Sequence, residues 1–499
     1  MKSILVLDFG GEAALVAARK LRGARVFSRI VDAEGASPAL LDDHPAGIVI
    51  AGGDGAAEAV WQKLDPALLE AGVPVLAMGP SALRMLRHFG GALGEHCLYR
   101  QVGLVQFCEC DLFDGVSMSE RFFIDGCALE LGEAWEAAGT LKSGVTVAFR
   151  HRSLPLYGMQ FYVEPNDPDG WNILNNFATR VCGCEPEWQM EKFCESKVRE
   201  LSMCGGDALI AVSGGIDSAV CAELMRQAIG DRLHCVFVDT GLMRKGEAEA
   251  VWDMFVNQLH MKLDVVDARE RIWEAIRGVS SAQEKRIIIR SVLYDVMAEQ
   301  AQALGGVENM VQGTIYTDVI ASRRGHGVKN KRMEDSVTGV KKQFCRMIEP
   351  LDGLFKEEVR RLGEVLHLPA ELVHRQPFPS MGLAQRIEGE VTVEKLNILR
   401  EADAILSEEV SSAGLDKRLY QYFCVLTEMT TPGVKAERPV NERVLAMRAV
   451  SSHDSMSASA MRMPYDVLER LVRRIVELPG INRVVYDLTP TPVASVEWL

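Results

Sequence analysis

The sequence predicts an α/β protein with two doubly wound parallel-sheet domains, followed by a small α+β domain. Short apolar runs alternate with helical segments, and this rhythm begins twice, near residue 3 and again near residue 205. Strands that are apolar throughout are typical of parallel sheets covered by helices on both faces. A chain of 499 residues, 48% of them hydrophobic, is long enough for about three domains. The expected domains are 1–185, 186–375 and 376–499.

In the first domain, three apolar runs are expected to form parallel strands, at residues 4–8, 47–51 and 73–77. Each run is almost wholly apolar, as in a strand that is buried on both faces. A turn is expected at residues 166–170, where Asn, Asp, Pro and Gly occur together. A polar helix over residues 186–203 then leads into the second domain.

In the second domain the same rhythm predicts four strands, over residues 208–212, 234–239, 263–267 and 310–314. Ligands of a doubly wound sheet bind beyond the carboxyl ends of its strands. Residues 321–342 carry many charges and no apolar periodicity. We therefore expect a long mobile loop there, which would serve as a lid beside this edge of the sheet.

The third domain has a different pattern. Charged helical segments at 393–409 and 466–477 mix with apolar strands at 420–426 and 483–488. Such a mixture, without a regular alternation of strands and helices, is typical of α+β domains.

The composition restricts the partners of the chain. A formal net charge of −14 argues against nucleic acids and anionic membranes, so local clusters of Arg and Lys must hold any anionic ligand. No apolar stretch reaches the roughly 18 residues of a membrane helix, and the first apolar run is too short for a signal peptide. We expect a cytoplasmic protein. The 12 cysteines include no Cys-x-x-Cys pair, which indicates free thiols.

A phosphate-binding turn is the most specific motif. Ser213-Gly214-Gly215-Ile216-Asp217-Ser218 lies between a strand and a helical segment, where backbone N–H groups and the helix N-terminus cradle phosphate. Ser213 and Ser218 add hydroxyl donors, and Asp217 is placed to orient the loop or to help hold Mg²⁺ with ATP. No Gly-Lys-Ser/Thr follows, which excludes a Walker loop. Ser-Gly-Gly-x-Asp-Ser is instead the signature of N-type ATP pyrophosphatases, which cleave ATP between its α and β phosphates.

Five motifs together, in their order and spacing, resemble the GMP synthetase family. The resemblance spans essentially the whole chain. It implies a class I glutamine amidotransferase-like domain, an ATP pyrophosphatase domain and a C-terminal dimerisation domain that helps to bind the acceptor. The motifs are 213–218, 237–242 (Phe-Val-Asp-Thr-Gly-Leu), 312–320 (Gln-Gly-Thr-Ile-Tyr-Thr-Asp-Val-Ile), 377–379 (Pro-Phe-Pro) and 496–498 (Val-Glu-Trp).

The resemblance also implies a reaction. ATP adenylates the 2-oxygen of xanthosine monophosphate and releases pyrophosphate, and ammonia then displaces AMP to give GMP. Adenylation replaces a poor leaving group, a purine carbonyl oxygen, by a good one. Mg²⁺ and the phosphate turn would stabilise the departing pyrophosphate. The family also implies a homodimer.

The glutaminase half departs from the family. The family nucleophile, a Cys in a Gly-x-Cys-x-Gly turn, falls on Gly79, and the family His-Pro-Glu becomes Tyr162-Val163-Glu164. A glycine cannot form a thioester, and only the orienting carboxylate, Glu164, remains. Ser81 is disfavoured as a substitute because it has no apparent His partner. We expect no glutaminase activity, a domain retained as a scaffold or ligand sensor, and ammonia from solution or from a separate partner.

The ATP side matches the family closely. Asp217, Asp318 and Lys329 are implied to act in catalysis, and Asp217 is also the implied ligand of Mg²⁺. Both histidines that follow the family lysine are missing after Lys329. The residues implied to bind ATP and pyrophosphate are Ser213, Gly214, Gly215, Asp217, Ser218, Val238, Asp239, Gln312 and Gly313.

The acceptor side is mixed. Arginine suits phosphate through its planar donor fork, and a carboxylate can accept a hydrogen bond from a purine N–H. The residues that match the family are Arg286, Gln421, Arg483 and Glu497. The departures are Thr491 for Lys, Ala321 for Glu, and Ser380-Met381 for Gly-Pro.

Three functions therefore remain open. The first is an ammonia-dependent amination of xanthosine monophosphate or a related purine nucleotide. The second is the same adenylation chemistry on a different acceptor, and the third is a non-catalytic, nucleotide-binding regulatory paralogue. A sulfur-transferring tRNA enzyme with the same loop is disfavoured by the acidic charge and by the lack of paired cysteines.

Overall fold

The computed structural model describes residues 2–34, 36–52, 61, 64–324, 344, 346–379, 381–452, 458–491 and 493–498. The chain divides into two compact units, Met1–Gln189 and Met190–Leu499. The predicted fold class is confirmed, since each unit contains parallel strands that alternate with helices, and an α+β segment ends the chain. The division at residue 375 stays a prediction.

The first unit is built on a nine-stranded sheet. Four helices are described in it: α1 (Ala13–Gly23), α2 (Ala67–Glu70), α3 (Pro80–His88) and α4 (Pro168–Asn176). Its strands are β1 (Ser3–Asp8), β2 (Phe27–Asp32), β3 (Gly47–Ala51), β4 (Val75–Met78), β5 (Ala92–Phe107), β6 (Met118–Glu130), β7 (Trp135–Leu141), β8 (Thr146–His151) and β9 (Leu156–Met159).

This sheet is mixed rather than wholly parallel. Its order is β2-β1-β3-β4-β9-β8-β7-β5-β6, and the first five strands in that order run parallel. The other pairings are antiparallel and were not predicted. The residues of β3 and β4 are all buried, as their apolar sequences predict. The turn predicted at 166–170 begins α4, where the Asp167 carboxylate accepts a hydrogen bond from Gly170 N.

The second unit begins with a five-stranded parallel sheet of order β12-β11-β10-β13-β14. The four predicted strands are present, and β14 is an additional edge strand. The strands are β10 (Ala208–Ala211), β11 (Leu233–Asp239), β12 (Leu263–Asp267), β13 (Asn309–Val311) and β14 (Arg346–Ile348). The order reverses at β10, so this is the switch point at which ligands bind in such sheets.

Eight helices accompany these strands in the described residues. The helix Tyr316–Arg324 continues past residue 321, so the prediction of a loop from residue 321 was wrong at its start; residues 325–343 lie outside the described part. The helices are α5 (Met190–Ser202), α6 (Ile216–Ile229), α7 (Glu247–Trp252), α8 (Arg269–Ile276), α9 (Ala282–Ala303), α10 (Tyr316–Arg324), α11 (Lys356–Val365) and α12 (Ala370–Val373).

The last segment of the second unit contains a small sheet. Its elements are α13 (Val393–Ser412), β15 (Gln421–Lys435), β16 (Arg438–Ser451), β17 (Ser459–Ala460), α14 (Tyr465–Ile475) and β18 (Ile481–Tyr486). Strand β16 pairs with β15 and β17 in antiparallel fashion and with β18 in parallel. One hydrophobic cluster includes Val236 of β11 as well as Leu445 of β16 and Ile475 of α14. The two sheets of this unit therefore share a continuous core.

Candidate functional site

The turn after β10 is closed by its own serines. The Ser218 hydroxyl donates to the Gly215 carbonyl at 3.0 Å and accepts from Ser213 N at 3.2 Å. Gly214 has φ +74°, and a Cβ atom there would lie 2.5 Å from the Val251 side chain. The turn therefore requires glycine at this position, both for its backbone angle and for space. Helix α6 begins directly after Gly215, so its N-terminal N–H groups lie beside the turn.

A cavity of about 530 Å³ lies at this edge of the sheet. Cavities of this size bind ligands as large as a nucleotide. It contains most of the residues predicted on the ATP side, and helix α9 contributes Arg290 and Tyr294 to its wall. The predicted residues that line it are Ser213, Asp217, Ser218, Val238, Gln312, Gly313 and Asp318. Gly214 and Gly215 complete the turn beside it.

Asp239 lies at the end of β11 but is not among the residues that line the cavity. Its carboxylate accepts a hydrogen bond from Gly241 N at 2.9 Å, and Arg269 Nε lies 3.7 Å from its second oxygen. Its observed contacts therefore shape the backbone that follows β11. Lys329 lies outside the described residues.

Lys356 is a residue of this site that the sequence analysis missed. Its Nζ donates to both oxygens of the Asp217 carboxylate, at 2.8 and 2.7 Å. Lys356 is the first residue of α11, where the helix dipole disfavours a positive charge. A lysine at that position, after a strand of the same sheet, was a signal that it serves the ligand site.

Acidic groups gather behind the turn. Burial raises the pKa of the Asp318 carboxyl, nearby Asp217 and Glu349 raise it further, and Ile315 N–H and Lys356 partly oppose them. The Thr314 hydroxyl donates to Glu349 at 2.6 Å. Within the described residues, no group of three or more His, Cys, Asp or Glu is arranged to hold a metal by itself. A magnesium ion that carries most of its coordination on phosphate and water needs only one or two carboxylates, and Asp217 and Asp318 fit that need.

The structure brings two of the four predicted acceptor residues into direct contact. Gln421 Nε2 donates to the Glu497 carboxylate at 2.6 Å. Burial and neighbouring Arg290 lower the pKa of Arg286, and the negative charge of Glu497 raises it. Arg483 is exposed on β18, where its Nε donates to the Thr431 hydroxyl at 3.4 Å.

The four departures lie at different places. Thr491 accepts a hydrogen bond from Arg448 Nη2 at 3.4 Å. Met381 is buried and lines the cavity, so the residue that replaces the family proline touches the ATP side. Ala321 lies in α10, and Ser380 lies outside the described residues.

The sequence analysis also missed a cluster of two arginines and an aspartate that is linked to Glu497 through Arg386. Arg386 Nε and Nη2 each lie 3.4 Å from a Glu497 oxygen. Arg244 Nε lies 3.2 Å from Asp403, which also lies 3.8 Å from Arg386. Isolated charges in a sequence do not reveal such partners, because they come from four separate segments.

In the first unit, Gly79 forms the turn between β4 and α3 with φ +63°. A Cβ atom at Gly79 would lie 2.5 Å from the Tyr162 hydroxyl oxygen and 2.7 Å from Cε1, so the Tyr162 ring fills the space of a side chain. The buried Ser81 hydroxyl donates to the Gly52 carbonyl at 3.0 Å. Glu164 is exposed.

Comparison with known proteins identifies the family. The chain is 39% identical to a GMP synthase [glutamine-hydrolyzing] of Caldicellulosiruptor saccharolyticus, over 99% of each chain. It is 38% identical to the Gloeobacter violaceus protein of the same name, over 99% of this chain and 93% of the other. The chain belongs to the GMP synthase family. The alignment covers 99% of this chain, so both units are related to the corresponding parts of these proteins.

Two family models match parts of this GMP synthase family member. The GMP synthase C terminal domain matches residues 408–498, which include Gln421 and Glu497. The model "Thiamine biosynthesis protein (ThiI)" matches residues 203–366, which include the 213–218 turn. Each predicted ligand site therefore falls largely within a matched region, and the family supports an ATP-dependent ligase.

Among solved structures, a glutamine amidotransferase from Thermotoga maritima is similar over 40% of this chain and 84% of its own. Its TM-score is 0.29 and its identity 13%. Among the helices that the structure describes, none is both long and apolar enough to cross a membrane.

Proposed function

We propose that this chain is a GMP synthase that uses ammonia instead of glutamine. Its second unit would adenylate xanthosine monophosphate with ATP and aminate the product to GMP. One observation carries the proposal: the phosphate turn with its cavity and the Gln421–Glu497 pair occur in one unit, whereas the nucleophile position of the other unit is Gly79, packed against Tyr162.

The first step transfers the adenylyl group. The 2-oxygen of xanthosine monophosphate attacks the α phosphorus, the bond to the bridging oxygen breaks, and pyrophosphate leaves. We assign the retention of pyrophosphate to the 213–218 turn and the N-terminus of α6, whose N–H donors suit developing negative charge. Val238, Gln312 and Gly313 would bind the nucleotide in the cavity, with Asp239 supporting the backbone after β11.

The second step replaces oxygen by nitrogen. Ammonia attacks C2 of the adenylated purine, AMP leaves with the oxygen, and a proton is lost from the new amino group. Asp318 lines the cavity, and we assign its catalytic role to holding the Mg²⁺ that binds with ATP. We also assign a catalytic role to Lys329, by family position alone.

Mg²⁺, when bound with ATP, would neutralise phosphate charge and stabilise the leaving pyrophosphate. Asp217 and Asp318 would hold it. Lys356 holds the Asp217 carboxylate in place by two hydrogen bonds. Asp217, Asp318 and Glu349 lie close enough for their negative charges to repel one another. A bound cation would reduce that repulsion.

The acceptor would lie against Gln421, Glu497 and Arg286, with Arg483 as the fourth contact. A purine N–H can donate to Glu497, and Arg286 suits the acceptor phosphate. We further propose that the chain is a homodimer, as its family membership implies, and that ammonia arrives from solution or from a partner protein.

The proposal is tested by AMP release from ATP, Mg²⁺ and xanthosine monophosphate, with ammonium or glutamine as nitrogen source. We expect AMP matched by GMP with ammonium, loss of both in Asp217→Ala, and no GMP with glutamine. GMP formation from glutamine at a rate near that with ammonium would overturn the ammonia dependence. Absence of turnover with either source, while ATP still binds, would overturn the assigned reaction.

A different acceptor is the second candidate, because Met381 replaces a family proline at the cavity wall and Thr491 replaces a family lysine. ATP–pyrophosphate exchange distinguishes the possibilities. Exchange that depends on xanthosine monophosphate supports the first proposal, and exchange that appears only with another purine nucleotide supports the second. ATP binding without exchange under any condition supports a regulatory paralogue.

A further inference from the structure

Arg386 has no exposed surface at all, which is unusual for a charged side chain. It ends the short 3₁₀ turn Gly382–Arg386, at the boundary between the two sheets of the second unit. Its guanidinium lies 4.3 Å from the centre of the Phe423 ring and 5.5 Å from that of Phe378. A buried guanidinium is tolerated only where carboxylates and ring faces replace its hydration.

The charges around Arg386 are balanced within one cluster. Asp403, on α13, lies 3.2 Å from Arg244 and 3.8 Å from Arg386. Glu497 provides the second negative charge, at 3.4 Å from Arg386. Two arginines thus face two carboxylates, and Glu497 is the more accessible carboxylate, with 24% of its side chain exposed against 4% for Asp403.

The Glu497 carboxylate is held from two directions. Gln421 Nε2 donates to Oε1 at 2.6 Å, whereas Arg386 reaches Oε1 through Nη2 and Oε2 through Nε. A planar fork that faces both oxygens fixes the plane of a carboxylate, which a single amide donor cannot do.

We propose that Arg386 is a positioning residue for the acceptor, which orients Glu497 so that its free lone pairs face the purine. This inference rests on the proposed function, and it assigns the orientation of Glu497 toward the purine to Arg386. Asp403 and Arg244 support it by neutralising and packing the cluster. Arg386 itself has no exposed surface, so it acts on the acceptor through Glu497.

The test is a double-mutant cycle on the full chain with Arg386→Lys, Glu497→Gln and the double variant. Lysine keeps the positive charge but loses the fork. We expect Arg386→Lys to raise the KM for xanthosine monophosphate about tenfold or more, the loss typical of a charge-assisted contact. The KM for ATP should change less than about twofold. The double variant should be no worse than Glu497→Gln alone, because both substitutions remove the same interaction.

Arg121→Lys is the matched control. Arg121 is also buried and paired with carboxylates, Asp167 and Asp169, but it lies in the first unit. The Arg121→Lys variant should lower the melting temperature, as Arg386→Lys does, but it should leave the KM for xanthosine monophosphate unchanged.

Calorimetric binding of xanthosine monophosphate separates the two proposals. If the unsubstituted chain does not bind it, the proposed function fails and this inference falls with it. If the unsubstituted chain binds it and the losses of Arg386→Lys and Glu497→Gln add fully, or if the KM values for ATP and acceptor rise together, the positioning role is overturned while the proposed function stands.

Discussion

At the scale of single residues, the surroundings of Asp318 in the candidate ATP site disfavour the ionised form of its carboxyl group. Its carboxyl is buried beside Asp217 and Glu349, and its pKa is raised. A carboxyl whose folded pKa lies above its unfolded value of about 3.9 binds more protons in the folded chain. The folded state therefore loses stability as the pH rises from the unfolded pKa to the folded pKa, and the loss persists above that window.

Asp318→Asn removes this titration while keeping an oxygen that accepts from Ile315 N. We expect the variant to melt at a higher temperature than the parent at pH 7 to 8, with the difference shrinking as the pH falls toward 4. Scanning calorimetry across this range measures it. AMP release should be lost, because the carboxylate is assigned to the reaction.

Asp253→Asn is the control, because the pKa of Asp253 is shifted in the opposite direction to that of Asp318. Asp253 is exposed, and hydrogen bonds from Asn257 and Gln258 lower its carboxyl pKa. Stability from that group is present above the unfolded pKa and is lost as the pH falls, so its removal should lower the melting temperature most at neutral pH. A pH-independent difference for Asp318→Asn would contradict the assigned cause.

At the scale of elements, the turn between β4 and α3 explains why one substitution would not restore a glutaminase. A side chain at Gly79 would need φ near +63° and would collide with Tyr162. We expect Gly79→Cys to cost about 1–2 kcal/mol for the left-handed backbone alone and to release no ammonia from glutamine. Thermal unfolding and an ammonia assay measure the two effects.

The comparison for this prediction is Ser81→Ala, which removes the buried hydrogen bond to Gly52. It should lower stability by about 1 kcal/mol without affecting ammonia-dependent GMP formation. Glutamine hydrolysis by the parent chain that disappears in Ser81→Ala would show that Ser81 is a nucleophile and would refute our interpretation of this turn.

The elements also show what a sequence can predict. Strands β10 to β13 are short, lie within a parallel sheet and contain apolar runs, and each was predicted to within a few residues. The long strand β5 and strand β16 were not predicted. Much of β5 is exposed, and the first half of β16 is polar and partly exposed, so pairing with distant strands rather than an apolar run defines them.

The candidate site divides in the same way. The turn at 213–218 was predictable because one local motif contains its backbone geometry, its donors and its helix. The cluster of Arg244, Arg386, Asp403 and Glu497 was not, because each charge comes from a different element and becomes buried only in the folded chain.

At the scale of the whole molecule, we expect the acidic chain to bind its anionic ligands through a few local arginines rather than through its overall electrostatic field. The net charge of −14 repels nucleotides at long range, while Arg286 belongs to the proposed acceptor site and Arg290 lines the cavity. Such short-range contacts in partly buried surroundings are screened little by salt. Affinity for the acceptor should therefore depend on geometry more than on ionic strength.

The last prediction concerns the nitrogen source of the intact protein. If ammonia itself attacks C2, GMP formation at limiting total ammonium should rise about tenfold per pH unit while ammonium remains the dominant form, because one proton is lost. The rate with glutamine should stay at background over the same range. The initial rate of GMP formation between pH 6.5 and 8.5 measures this dependence, with ATP–pyrophosphate exchange as a control for the enzyme's own ionisations. Exchange does not need ammonia. If the rates of GMP formation and of exchange rise with pH in parallel, the titrating group lies on the protein. If only the rate of GMP formation rises, the titrating group is the ammonium ion that becomes the ammonia nucleophile.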